Sequence, residues 1–229
     1  TIALDKPLTW SSFSLVNKFR YEACRYLGIR KLKVGHAGTL DPLATGVMIL
    51  CTGRHTKLIE QLQSGRKEYI ADIRLGQTTP TYDMESEPDA FFPTEHITEE
   101  LVRAKLLDFV GEIEQVPPAF SAVKVDGKRA YKLARKGREF ELKAKKLTID
   151  EIELLAYAPT QIQIRVVCSK GTYIRALARD IGLALGSGGH LTDLRRTRVG
   201  DYSLEQCYRV EDIQRFLAEH VAPLDETNE

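Results

Sequence analysis

The chain predicts an α+β fold, with a mixed, mainly antiparallel central sheet and flanking helices. Three observations carry that expectation. "KEYIADIRLG", "LTIDEIELLAYA" and "QIQIRVVCSKG" alternate apolar with polar residues, the period of half-buried strands. Helical patterns with recognisable caps fall between them. Strands and helices interleave without the regular βαβ rhythm of a parallel sheet. The chain has 229 residues, 43% of them hydrophobic, enough for one sizeable core or two small ones. A single domain over residues 1–229 is expected, with a basic excursion near 112–146.

The elements follow in order. "TIALDKP" reads as a short strand stopped by Pro7. Ser11 or Ser12 caps a helix through about Leu27, with Phe13, Val16, Phe19 and Tyr26 roughly on helical spacing. The loop "VGHAGTLDPLATG" comes next and runs into the apolar strand "GVMILCTG". "HTKLIEQLQ" is a short helix. "KEYIADIRLG" sets Tyr69, Ala71, Ile73 and Leu75 on one face. "TTPTYDMESEPDAFFP" lacks periodicity and reads as loop. Thr98 caps the helix "TEELVRAKLLDFVG", which has acids in its first turn and Gly111 just after it. Residues 112–126 are strand and turn, and "GKRAYKLARKG" is a short basic helix ended by Gly137. Two long alternating strands follow. "TYIRALARDIGLALG" and "RVEDIQRFLAEH" are the last helices, and "HLTDLRRTRVG" between them reads as a basic segment.

No run of about 18 uncharged apolar residues is present, so no membrane helix is expected. The opening residues lack a basic start and a small-residue cleavage site. Four scattered cysteines, with no CxxC pair, suit reduced thiols. A cytoplasmic protein is expected. The net charge of +1 conceals segregation. Residues 117–147 carry ten Lys/Arg against three Asp/Glu, and residues 16–36 carry six against one. Residues 83–100 carry seven acids and no Lys or Arg, and residues 201–229 carry eight acids against two bases. This segregation suits a protein with one anion-facing side.

The loop glycines Gly35, Gly38, Gly46 and Gly53 invite a phosphate-loop reading. No Lys-Ser/Thr pair follows them and no GxGxxG opens a helix, so that reading fails. His36 and Asp41 lack a nearby third metal ligand. Asp41 before Pro42 also suits a plain Asx turn. Arg175, where "SKGTYIRALARD" opens a helix, is either a reactive carboxylate's partner or an ordinary helix-start cation. Tyr69 offers a ring face and a hydroxyl, or plain packing. "PPAFSAVKVDGKRAYKLARKG" interleaves Phe120 and Tyr131 with bases, the pattern of a segment that grips phosphates and presents rings to bases.

At these residues the chain resembles a known family. "GHAGTLDPLATG" is similar to the catalytic motif of the bacterial TruB family, tRNA pseudouridine synthases that act on uridine 55 of the T-loop. "LDKPLTWSS", "KEYIADIRLGQTTPTYD", "VPPAFSAVKVDGKRAYKLARKG", "SKGTYIRALARDIG" and "HLTDLRRTRVG" occur in the family's order and approximate spacing. Together the six segments cover roughly residues 3–200. The resemblance implies the pseudouridine synthase fold and an isomerase that acts by base flipping without a cofactor or metal.

Residue by residue, the resemblance makes Asp41 the catalytic aspartate and Tyr69 the tyrosine stacked on the target base. Arg175 becomes the arginine paired with the aspartate, and His36 the wedge pushed into the RNA. Tyr173 and Leu194 line the uracil pocket. Lys67 and Lys6 stand nearer the RNA or the pocket floor. Lys124, Lys128, Arg129 and Lys132 grip phosphates from a thumb-like insertion that orders over the T-arm. The loop glycines are expected to allow close approach of RNA backbone. The partner is the tRNA T-arm, bound by a monomer without guide RNA. Two departures stand out: the family usually has Gly where Leu8 stands and Tyr where Phe120 stands. The 29 residues after Gly200 are too few for the RNA-binding PUA domain found in many members, so none is expected. Three rival readings remain at this point: a non-catalytic RNA-binding module, a guide-RNA-dependent synthase, and a hydrolase using His36 and Asp41.

Overall fold

The computed structural model describes residues 1–125 and 127–222. Asp126 of the basic excursion, and Asp225, Glu226 and Glu229 of the acidic tail, lie outside the described residues. The chain divides into two compact units, Thr1–Lys67 with Arg195–Glu229, and Glu68–Leu194.

The first unit opens with strand β1 (Ile2–Lys6) and helix α1 (Ser12–Tyr26). Ser11, not Ser12, is the cap: its Oγ accepts from the Ser14 amide. Leu15, Val16, Phe19 and Ala23 form the buried stripe of the helix. Strands β2 (Val34–His36) and β3 (Ala44–Thr52) follow, then a 3-10 turn (Gly53–Leu58) and helix α2 (Ile59–Ser64). β1 and β2 both pair antiparallel with β3, in registers that match Ile2 with Leu50 and Val34 with Thr52. Because β3 is covered on both faces, Val47 to Cys51 form a continuous buried run.

The chain enters the second unit along β4 (Lys67–Leu75), where Lys67, Tyr69, Ala71, Ile73 and Leu75 are buried on one face, as the alternation predicts. β5 (Gln77–Thr78) and β6 (Ala90–Phe91) make a short ladder within the acidic loop. Helix α3 (Glu99–Leu107) is capped by Thr98. Beyond it lie β7 (Gly111–Gln115), the small hairpin β8 (Lys124–Val125) and β9 (Lys128–Arg129), and helix α4 (Ala130–Ala134). The long strands β10 (Lys145–Ala158) and β11 (Gln161–Cys168) precede helix α5 (Ile174–Ala184). The strand order is β4-β11-β10-β7, with β10 antiparallel to both β11 and β7.

Strand β12 (Gly189–Val199) carries the chain back into the first unit. The basic segment "HLTDLRRTRVG" is therefore largely strand. β13 (Tyr202–Ser203) pairs antiparallel with its end, and helix α6 (Ile213–His220) lays Phe216 6.5 Å from Phe19 of α1. A parallel bridge between Leu4 and Tyr208 makes the pairing mixed. The α+β expectation thus holds. No described helix is long and apolar enough to cross a membrane.

One turn carries visible strain. After β1 the left-handed residue is Thr9, at φ 68°, one position past Leu8. A β-branched residue is unfavourable there, and glycine is not. The Thr9 amide donates to Pro42 O at 2.9 Å, which fixes the turn against the loop before β3.

Candidate active site

Each unit carries its own group of candidate residues. In the first, β2 and β3 hold between them the loop 37–43, with Asp41 half-buried near its end. Every carbonyl from Gly38 to Pro42 accepts a hydrogen bond. Arg196 donates from Nη2 to Gly38 O at 3.2 Å and from Nη1 to Thr39 O at 3.3 Å. Ser12 Oγ donates to Leu40 O at 2.8 Å and accepts from Leu40 N at 2.9 Å. The Ala44 amide donates to Asp41 O at 3.1 Å. Pro42 O accepts from Thr9 N at 2.9 Å and from Lys6 Nζ at 3.3 Å. A loop that satisfies its backbone this fully has one conformation to offer.

The anchors are themselves buried. Arg196 is 1% exposed and also donates Nε to Val47 O at 2.8 Å, so its guanidinium serves three carbonyls. In the sequence it is one arginine of a basic segment; in the structure it is an internal strut. Its neighbour Arg195 is held by Asp5 at 2.8 Å and Thr45 at 3.2 Å. Lys6 is 0% exposed and donates to Pro7 O at 2.9 Å and Trp10 O at 2.7 Å as well as to Pro42 O. Burial lowers the Lys6 ammonium to about 8, with Arg196 pushing the same way, while Asp41 and Asp5 oppose the fall. Lys67 is also buried, and its ammonium donates to Gln63 O and to Gly65 O at the end of α2.

His36 closes β2, opposite Leu50. Burial and then the Arg196 guanidinium lower its pKa from the ordinary 6.5, against a Gly38 main-chain bond, which leaves the ring neutral at pH 7. Among the described residues its buried Nδ1 has no hydrogen-bond partner.

The glycines of this loop correct an expectation. Gly35 and Gly46 are not open places for RNA to approach, whereas nothing stands within 4 Å of a Cβ on Gly53. A Cβ on Gly46, at φ 104°, would stand 2.1 Å from Arg196 O, and one on Gly35 would stand 2.6 Å from Ile59 Cδ1. Both make room for the protein's own packing, and Gly46 lets β12 lie close enough for Arg196 to reach the loop.

In the second unit, α5 supplies Arg175 from its first turn, with Tyr173 at the cap position. The amide of Gln115, a buried residue, clamps the Tyr173 backbone, donating to its carbonyl at 3.2 Å and accepting from its N–H at 2.9 Å. Arg175 is buried and donates to Thr81 O and Phe120 O, both at 3.0 Å, and its Nε lies 3.6 Å from Asp83 Oδ2. Asp83 accepts the Glu85 amide at 3.0 Å, and its carbonyl receives Thr79 Oγ1 at 2.8 Å. The acidic loop thus orders itself around one guanidinium. Tyr69 is 8% exposed on the buried face of β4, and Leu194 is half-buried on β12. Lys124, Lys128 and Arg129 stand exposed on the β8–β9 hairpin, and Lys132 stands exposed on α4.

The first unit therefore gathers Asp41, His36 and Lys6 around one loop, and the second gathers Tyr173 and Arg175 on one helix start. Sequence reasoning missed Arg196, Ser12, Gln115 and Asp83 in these positioning roles.

Comparison with known proteins bears on the family and the fold. The model of the TruB family pseudouridylate synthase N-terminal domain matches residues 25–174, and that of the tRNA pseudouridylate synthase B C-terminal domain matches residues 175–227. The chain is 67% identical over 213 residues to tRNA pseudouridine synthase B of Phocaeicola vulgatus, covering 93% of this chain and 91% of that protein. It is 48% identical to the protein of the same name from Mycobacterium ulcerans, covering 93% and 70%. Among solved structures, a chain of a Cbf5-Nop10-Gar1 complex matches with a TM-score of 0.70 at 28% identity, over 96% of this chain and 55% of that one. A chain of the archaeal box H/ACA sRNP Nop10-Cbf5 complex matches at 0.67 and 29%, over 95% and 54%. The chain spans about half the length of those two structures.

Proposed function

The chain belongs to the TruB family of pseudouridylate synthases, and we propose that it isomerises uridine 55 in the T-loop of tRNA to pseudouridine. It is an isomerase, and the named relatives support tRNA as its substrate. Position 55, the flipped base and the part played by each residue are our reading. The observation that carries it is the loop 37–43, whose five successive tied carbonyls hold Asp41 in place before any substrate arrives.

The reaction breaks the bond between C1′ and N1 and forms one between C1′ and C5. N1 gains a proton and C5 loses one, so the exchange is redox-neutral. Routes by attack at C6, by attack at C1′ or through a glycal share one need: an ionised carboxylate beside the sugar and base. Asp41 fills that role. We assign the role of the partner arginine to Arg175, which the Thr81 and Phe120 carbonyls hold in place. Extrusion of the base costs a few kcal/mol. Stacking on Tyr69 returns about 1–3 kcal/mol of it. His36, neutral at pH 7, fills the gap left in the RNA. Tyr173 and Leu194 line the uracil pocket. We keep Lys6 and Lys67 as basic positions nearer the RNA or the pocket floor, and Lys124, Lys128, Arg129 and Lys132 as holders of T-arm phosphates.

The test uses purified protein and a full-length tRNA transcript, with no guide RNA or second protein. Pseudouridine should form at position 55 and nowhere else. Conversion at another position, a need for guide RNA, or release of free uracil would each refute the proposal.

A further inference from the structure

The thumb-like segment is not the only basic surface. On the first unit, two segments far apart in sequence meet at the outer end of the β2–β3 hairpin. The Val34–Thr52 pairing and a bond from Gly53 N to Lys33 O at 2.9 Å set the connection 27–33 beside the turn Gly53–Leu58. Arg30, Lys31 and Lys33 come from the first segment, and Arg54 and Lys57 from the second. All five are exposed.

Two further facts separate this cluster from an ordinary solvated surface. Among the described residues, none of the five lies within ion-pair distance of a carboxylate, and Glu60 is the one acid in residues 25–33 and 53–60. Some exposed cations elsewhere are matched: Arg103 sits 2.7 Å from Glu99, Lys146 2.9 Å from Glu112, and Arg215 reaches Asp212 and Glu219. The cluster also runs into the candidate site. Lys33 immediately precedes β2 and His36 ends it, three residues on, about 10 Å at strand rise. Uncompensated charge kept on a rigid hairpin next to such a site calls for an anionic partner.

We propose that Arg30, Lys31, Lys33, Arg54 and Lys57 form a second phosphate-binding patch for substrate RNA, continuous with His36 and made of other residues than the thumb cations. This rests on the reading of the chain as an RNA-modifying enzyme. The patch holds the RNA backbone leading away from the flipped nucleotide, by charge alone and without reading sequence.

The test is the salt dependence of tRNA binding by the full chain. In Arg30→Gln/Lys31→Gln/Lys33→Gln the slope of log affinity against log salt, between about 50 and 200 mM, should flatten by about 2 to 3, at 0.7–0.9 per lost phosphate contact. Arg54→Gln/Lys57→Gln should flatten it by about 1 to 2. The single-turnover rate at saturating tRNA should not change, since none of the five touches the reacting atoms. Arg103→Gln, whose partner is Glu99, should leave the slope alone. An unchanged slope in both patch variants, with wild-type turnover intact, overturns the patch alone, whether or not they lose binding to anionic vesicles instead. An equal loss per charge in Arg103→Gln overturns it too. Absence of wild-type turnover on tRNA overturns the underlying reading.

Discussion

Replacing Ser12 by alanine removes one oxygen and breaks two hydrogen bonds to Leu40, one residue from Asp41. Ser12 is 5% exposed and Leu40 is 4% exposed, so bulk water does not stand ready to replace the hydroxyl. Oγ donates at 2.8 Å and accepts at 2.9 Å, so Ser12→Ala leaves one buried acceptor and one buried donor without partners. Each such orphan costs about 1–3 kcal/mol. A little relaxation of the loop gives a total of about 2–4 kcal/mol, or roughly 4–16 °C in the unfolding midpoint of a chain this size. The same slack moves Asp41, and a misplacement of about 1 Å costs on the order of 10²-fold in rate. Calorimetry gives the first number and single-turnover conversion of tRNA gives the second, with RNA affinity as control. Affinity should stay level, because Ser12 faces the loop and not the surface. A lower midpoint with an unchanged single-turnover rate would refute the claim that loop anchoring positions Asp41.

Four further outcomes follow from the same geometry. Gly46→Ala drives a Cβ to 2.1 Å from Arg196 O and should abolish soluble expression, whereas Gly53→Ala, at φ 50° with open space around it, should cost about 1 kcal/mol. Thr9→Gly relieves a left-handed β-branched residue and should leave the unfolding free energy level or raise it by up to about 1 kcal/mol; a clear drop would mean that φ 68° is not strained there. Raising the pH through about 8 deprotonates Lys6 and removes a donor from the carbonyls around Pro42, so the rate should fall on that limb, and the limb should be absent in Lys6→Met. Stability should move the other way: the folded pKa lies below the unfolded value of 10.5, the unfolded chain binds more protons between about 8 and 10.5, and this residue's contribution rises with pH there. Neutralising Lys124, Lys128, Arg129 and Lys132 together should flatten the salt slope of tRNA binding by about 3 to 4, and an unchanged slope would return the thumb to ordinary surface.

Local patterns were legible in the sequence, and long-range anchors were not. The alternation of β4 placed Tyr69 on the buried face, and Thr98 marked the start of α3, because both signals lie within a few residues. β12 hid behind its arginines. A strand that buries His190 and Arg196 shows no apolar alternation, so its charge reads as surface. Arg196 reaches Gly38 across 158 positions and Ser12 reaches Leu40 across 28, and no local pattern announces either bond. Ser12 looked like a candidate cap, while Ser11 does the capping. The loop glycines invited a ligand because glycine marks close approach; the approaching backbone at Gly46 is the protein's own β12. The patch at Lys33 and Arg54 needed the hairpin register before its two halves became one surface.

The central claim is that Asp41, held by its tied loop, performs the chemistry. The direct measurement is pseudouridine formation at position 55 of tRNA by wild type and Asp41→Asn in single turnover. Asparagine keeps the size of the side chain and removes the charge and the nucleophile. The account predicts no detectable pseudouridine with Asp41→Asn, at wild-type affinity for tRNA and an unchanged unfolding midpoint. Conversion by Asp41→Asn at the wild-type rate would contradict it.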